Sequence, residues 1–279
     1  MIPVVVGSSP IGHPIILPRA PRRWRAPALR KATVRGAFRA VLQATFAQIE
    51  ANARGVAASA DPEFLHQLRV GQRRLRAALR AFRAVLDKKS AKRVRRKLRK
   101  LSPILGAARD WDVLVARLEA SGAPELLARA RRERDAARQA AIALIASPAF
   151  QDLIAAARAL AVTRTGQTLA EFGAAALSRA QRKLLKQGSI DWHDAAGRHA
   201  VRIRVKRLRY SCEFFAAAFP ARRAAPYLAN LKELQEILGE LNDIAVGRRL
   251  LGFDADEAAL VRKLEASWRR FAKRRAFWQ

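Results

Sequence analysis

"HQLRVGQRRLR", residues 66–76, and "HAVRIRVKRLR", residues 199–209, stand 133 positions apart in a chain of 279 residues. Wound as an α-helix, each separates into two stripes. In the first, Leu68, Leu75, Leu79, Phe82 and Leu86 recur at helical spacing and make a core-facing stripe. Beside it His66, Arg69, Arg73, Arg76 and Arg80 advance by three and four residues, the spacing of neighbours on one helix face. At ~1.5 Å per residue, His66 to Arg76 covers roughly 15 Å. The second stretch repeats the division. Val201, Val205, Leu208, Cys212 and Phe215 are its core residues, and His199, Arg202, Lys206 and Arg209 its basic stripe. Glu213 stands where Arg80 does, so the second basic stripe is shorter.

The same offset of 133 carries more than one helix. Leu98, Leu101, Ile104, Leu105, Gly106 and Asp110 fall on Leu231, Leu234, Ile237, Leu238, Gly239 and Asp243 with no gap. Two unrelated arginine-rich helices would not keep register through a turn into a second helix, so the pattern reads as an internal duplication. Apolar residues recur at three and four from about residue 28 onward, and strand-like alternation is almost absent. Helices are expected near 28–54, 62–86, 90–118, 124–146, 148–163, 168–187, 192–219, 223–250 and 255–275. Asp61–Pro62 and Ser147–Pro148 read as N-cap and first helical residue. The expected architecture is all-α: two pseudo-symmetric four-helix bundles, repeat one over about 28–146 and repeat two over about 168–279, with a linking helix near 148–163. Residues 1–27 are expected to form an N-terminal arm. Their apolar part lacks the basic start of a signal peptide and is broken by Pro10, Pro14 and Pro18.

Composition narrows the partners. The net charge is +32 and the residues are 51% hydrophobic, so the chain can bury a core while attracting polyanions. Nucleic acid, an anionic membrane surface and a phosphate polymer are the classes such charge fits. No apolar run reaches the roughly 18 residues that cross a bilayer. The single cysteine, Cys212, excludes an intrachain disulfide and suits the reducing cytoplasm.

Stacking like charges on one helix face costs a few tenths of a kcal/mol per pair, which a merely solvated surface has no need to bear. A stripe that holds an anionic chain does need it, and the planar fork of arginine suits phosphate oxygens. His66 and His199 open the two stripes and can donate to phosphate. Neither stripe offers the further His, Cys or carboxylate that metal ligation requires, so no metal or cofactor is expected. Asp110 and Asp243, at matched positions, read as anchors that orient arginine side chains. "KKSAKRVRRKLRK" at 88–100 is a further basic run whose counterpart, "RRAAPYLANLKE", is far less basic. There is no glycine-rich phosphate loop, HExxH, CxxC or nucleophile elbow, and only "DWD" at 110–112 approaches an acidic pair. The chain therefore reads as a binder and not an enzyme.

"HQLRVGQRRLRAALRAF" and "HAVRIRVKRLRYSCEFF", each followed by a helix ending "ILGAARDWDVL" or "ILGELNDIAV", resemble the CHAD family, the conserved histidine α-helical domain. The closing "RRFAKRRAFW" resembles that family's C-terminal end. The resemblance covers about residue 28 to the end. It implies binding of inorganic polyphosphate in a basic central cavity, and association with polyphosphate granules. It points to His66, Arg69, Arg73, Arg76, His199, Arg202, Lys206 and Arg209 as the binding residues. Arg74, Arg80 and Arg207 rank second; Arg74 and Arg207 match motif positions but lie about 80° around the helix from the histidine. Many family members follow a triphosphate-tunnel catalytic domain, for which the 27 residues before the resemblance are too short. A basic helical nucleic-acid binder is one alternative, although the five tryptophans are scattered and make no base-stacking platform. A metal-chelating or phosphohydrolase-associated regulator is another.

Overall fold

Helix starts in this chain are written in the residues that precede them. Asp61 Oδ1 accepts from the Glu63 amide ahead of a helix that begins at Pro62. Ser147 caps a helix beginning at Pro148. Thr168 and Glu171 close a reciprocal capping box, and Asp194 accepts from the amides of Ala196 and Gly197. In this computed structural model, which describes residues 5–8, 14–16, 21–29, 32–121, 124–163, 165–252 and 256–279, such signals open an almost wholly helical chain. The helices are α1 (Val34–Ala58), α2 (Pro62–Ala81), α3 (Lys88–Ser121), α4 (Pro124–Ala146), α5 (Pro148–Arg158), α6 (Leu169–Gln187), α7 (Ala195–Phe215), α8 (Ala221–Leu251) and α9 (Ala258–Ala272). The fold is all-α, as expected. A short antiparallel pair, β1 (Val5–Ser8) and β2 (Pro14–Ile16), comes before them, in a segment rich in β-branched residues. The rest of the expected N-terminal arm before residue 21, including Pro10 and Pro18, lies outside the described residues.

Several boundaries differ from the expected ones for local reasons. α1 starts at Val34 and not near residue 28, because Thr33 Oγ1 accepts from the Gly36 amide and residues 21–29 form no regular element. α2 stops at Ala81 and α7 at Phe215. Each is followed by a 3-10 turn, Arg83–Val85 and Ala216–Ala218, and these turns stand at the same offset of 133. α5 ends at Arg158 because the chain beyond it pairs with the backbone near Val85: Thr163 N donates to Val85 O and Asp87 N to Ala161 O.

The chain packs as two compact units that do not follow chain order. The first takes the described residues up to Arg25, then Leu42–Arg76 and Lys89–Leu160; the second takes Ala26–Val41, Ala77–Lys88 and Ala161–Gln279. The expected repeats were continuous segments, whereas α1 and α2 each contribute to both units. At 25 residues, or roughly 38 Å, α1 is long enough for its two ends to serve different cores.

In the first unit Phe46, Phe64, Leu65, Leu68, Leu75, Val94, Leu98 and Leu105 are buried. In the second, Phe38, Phe82, Phe172 and Phe215 form one aromatic cluster, with Phe82 and Phe215 centroids 5.1 Å apart. Tyr227, Phe271, Phe277 and Trp278 form another, and the Trp278 indole donates to Ser178 Oγ. The apolar stripes expected on both repeated helices, from Leu68 to Leu86 and from Val201 to Phe215, are buried throughout. Packing those faces inward fixes the rotation of α2 and α7, and with it the direction of their basic stripes.

Candidate functional site

α2 carries the first stripe within the first unit. His66, Arg69 and Arg73 are half-buried, and Arg76 keeps part of its length exposed. Two of these side chains are braced against α3. Arg69 Nη1 donates to Ser102 O at 2.9 Å, and Arg76 Nη2 donates to Leu98 O at 2.9 Å. Both acceptors are neutral backbone carbonyls, and the bonds orient the guanidinium groups. Gly106 makes room for the first of them. A Cβ there would stand 3.3 Å from Arg69 Nη1 and 3.4 Å from Nη2. Burial, and then the nearby Arg99 cation, pull the Arg76 pKa below its ordinary value. The group stays protonated, but its charge sits where an anion would be welcome.

α7 carries the second stripe within the second unit, held differently. His199 is exposed, and its Nδ1 lies 3.0 Å from Asn242 Oδ1. The amide oxygen only accepts, so Nδ1 carries the proton. Asn242 Nδ2 in turn faces Asp243 Oδ1 at 3.4 Å. Asp243, expected to orient an arginine, here orients a histidine through Asn242. Arg202 and Lys206 are half-buried. Arg209 donates through Nε to Gln235 Oε1 at 2.8 Å and through Nη1 to Glu213. The acid in place of Arg80 thus neutralises the far end of the second stripe.

The second-rank residues separate from the stripes. Arg74 is only 8% exposed and its guanidinium stacks 4.4 Å from the Trp24 ring, which pins the segment before α1. Asn52 assists from α1 by bonding both the N–H and the C=O of Arg22. Arg80 is exposed, one turn beyond Arg76 in the part of α2 that belongs to the second unit. Arg207 is half-buried.

Sequence reasoning missed Arg198. It is buried, donates to Trp192 O at 2.8 Å and pairs with Glu257 at the start of α9. Its neighbour at the offset is Leu65, which is also fully buried, so only the break in matched residue type marked this position. Asp112, the second acid of the "DWD" singled out above, is 8% exposed, and its carboxyl pKa is raised by burial against the opposing pull of Arg109, Arg138 and Arg134. No group of three or more metal-ligating side chains occurs among the described residues, and no single helix there is long and apolar enough to cross a membrane.

Comparison with known proteins shows the family through a family model and a solved structure. The family model for the CHAD domain matches residues 40–252. The crystal structure of the CHAD domain from the plant Ricinus communis superposes with a TM-score of 0.73 at 33% identity, covering 94% of each chain. PptA from Streptomyces chartreusis gives a TM-score of 0.58 at 17% identity, over 86% of this chain and 97% of that one, a likeness of fold. The uncharacterized protein Rv2226 of Mycobacterium tuberculosis is 31% identical over 209 residues, 67% of this chain. The chain spans only 39% of that relative's length.

Proposed function

Because the chain belongs to the CHAD domain family, we propose that it binds inorganic polyphosphate through its two basic stripes and holds the polymer without hydrolysing it. The binding groups are His66, Arg69, Arg73 and Arg76 in the first unit and His199, Arg202, Lys206 and Arg209 in the second. One observation carries the proposal. Arg69 and Arg76 lie two helical turns apart, about 10 Å along the axis, and each is braced by a neutral carbonyl of α3. Pre-oriented guanidinium groups at regular spacing suit a chain whose anionic oxygens repeat regularly, and bracing lowers the entropy lost on binding. Arg76 adds to this, since burial and Arg99 both disfavour its charge until an anion arrives.

The reading extends to the cell: a cytoplasmic protein that can settle on polyphosphate granules. A direct titration with long-chain polyphosphate tests the core of it, repeated in excess transfer RNA or duplex DNA. Retained polyphosphate binding supports the proposal. Displacement by that excess of nucleic acid would favour the general nucleic-acid binder. A phosphate-release assay with Mg²⁺ and Mn²⁺ belongs beside it, because turnover would overturn the binding-only reading.

A further inference from the structure

We infer that the first stripe continues past Arg76 onto α3, along Arg99, Arg95 and Lys92, and that this track takes the outgoing length of a long polyphosphate chain. The inference rests on the polyphosphate reading above and adds to it a preference for long polymers. Arg76 bonds to the carbonyl of Leu98, one residue before Arg99, and the Arg99 charge acts on Arg76 directly. From Arg99 the row steps back by four and three residues, so it stays on one face of α3. All three side chains are exposed, and they flank the buried row of Ala91, Val94 and Leu98. Lys92 to Arg99 adds roughly 10 Å of cationic surface to the stripe on α2. Arg93, Arg96 and Lys100, also exposed, widen it.

The second unit shows that this charge is not a general coating. The positions 133 residues on from Lys92, Arg95 and Arg99 are Ala225, Leu228 and Lys232. Ala225 and Leu228 line an apolar groove with Phe219, Pro220 and Ala224. Lys232 is paired with Glu236 at 3.6 Å, and Arg209, the counterpart of Arg76, is closed off by Glu213. The second stripe therefore ends where the first runs on. Past Arg76 a long polymer meets three successive cations on α3, whereas the matching row of α8 offers Lys232, paired with Glu236, and then no cation before Arg222.

The test uses the full chain, two ligands and two double variants. Tripolyphosphate is too short to occupy both stripe and track, whereas long-chain polyphosphate can. Lys92→Glu with Arg95→Glu removes the track. Arg129→Glu with Arg132→Glu makes the same change of charge on exposed positions of α4 and serves as control. We expect the track variant to lose ~10-fold in affinity for the long polymer and under ~2-fold for tripolyphosphate, with the control under ~2-fold for both. Unchanged long-chain affinity in the track variant would overturn the inference. So would an equal loss in the control, or an equal loss for tripolyphosphate. If the unaltered protein binds neither ligand, the underlying polyphosphate reading fails first.

Discussion

Gly106 and Gly239 occupy matched positions in α3 and α8 and make a paired experiment. Replacing a helix-interior glycine with alanine gains about 1 kcal/mol from backbone propensity alone. At Gly239 nothing lies within 4 Å of the added Cβ, so that gain arrives undiminished. A melting temperature higher by roughly 2–4 °C follows. At Gly106 the new methyl would press on Arg69, 3.3 Å from Nη1 and 3.5 Å from Cζ. The guanidinium is the free end of a flexible side chain, so it yields by a few tenths of an ångström, and the 2.9 Å bond to Ser102 O weakens or breaks. Losing a hydrogen bond of about 0.5–1.5 kcal/mol offsets the propensity gain, leaving stability near that of the unaltered protein. Arg69 would then meet polyphosphate without its brace, and a lost contribution of about 1 kcal/mol is a fall of roughly fivefold in affinity. Calorimetric melting and polyphosphate titration of the two single variants read both quantities. Equal affinity in Gly106→Ala and Gly239→Ala would refute the claim that Arg69 binds from a braced position.

The remaining expectations are local. Arg198→Ala removes the buried partner of Glu257 and leaves Arg248, itself half exposed, as the ion-pair partner among the described residues; the change should cost about 1–3 kcal/mol in denaturant unfolding, and a cost under ~0.5 kcal/mol would mean the pair is dispensable. Asp112 has its folded pKa raised, so its carboxylate opposes folding above that pKa and the penalty fades as pH falls through it. Asp112→Asn should therefore stabilise the protein at neutral pH and lose that advantage in acid; an advantage that grew on acidification would contradict the sign.

Much of this was legible along the chain because helix faces have a period. The leucines and phenylalanines of α2 and α7 had to share a face, and they are buried. Asp61–Pro62 and Ser147–Pro148 announced helix starts because capping is local chemistry. What a neighbouring helix offers is not periodic and could not be read this way. Nothing in the spacing of Arg69 and Arg76 told that carbonyls of α3 would receive them. That Arg74 leaves the stripe on which Arg73 stays followed from its angle on α2, but that Trp24 would cover it did not. Asp243 was expected to orient an arginine, whereas its Oδ1 meets the Asn242 amide, whose oxygen contacts His199. The division of α1 and α2 between two units escaped for the same reason: periodicity finds which face of a helix is buried and not which core buries it.

The most direct measurement is the salt dependence of polyphosphate binding in the double variant Arg69→Glu with Arg202→Glu, one change in each unit, beside the unaltered protein. Phosphate contacts release counterions, so affinity should fall steeply with salt in the unaltered chain and the slope should shrink when contacts are lost. The account predicts a loss of at least ~100-fold at moderate salt and a shallower slope, with the thermal melt preserved. Unchanged affinity and slope in a folded variant would show that the two stripes are not where the polymer binds.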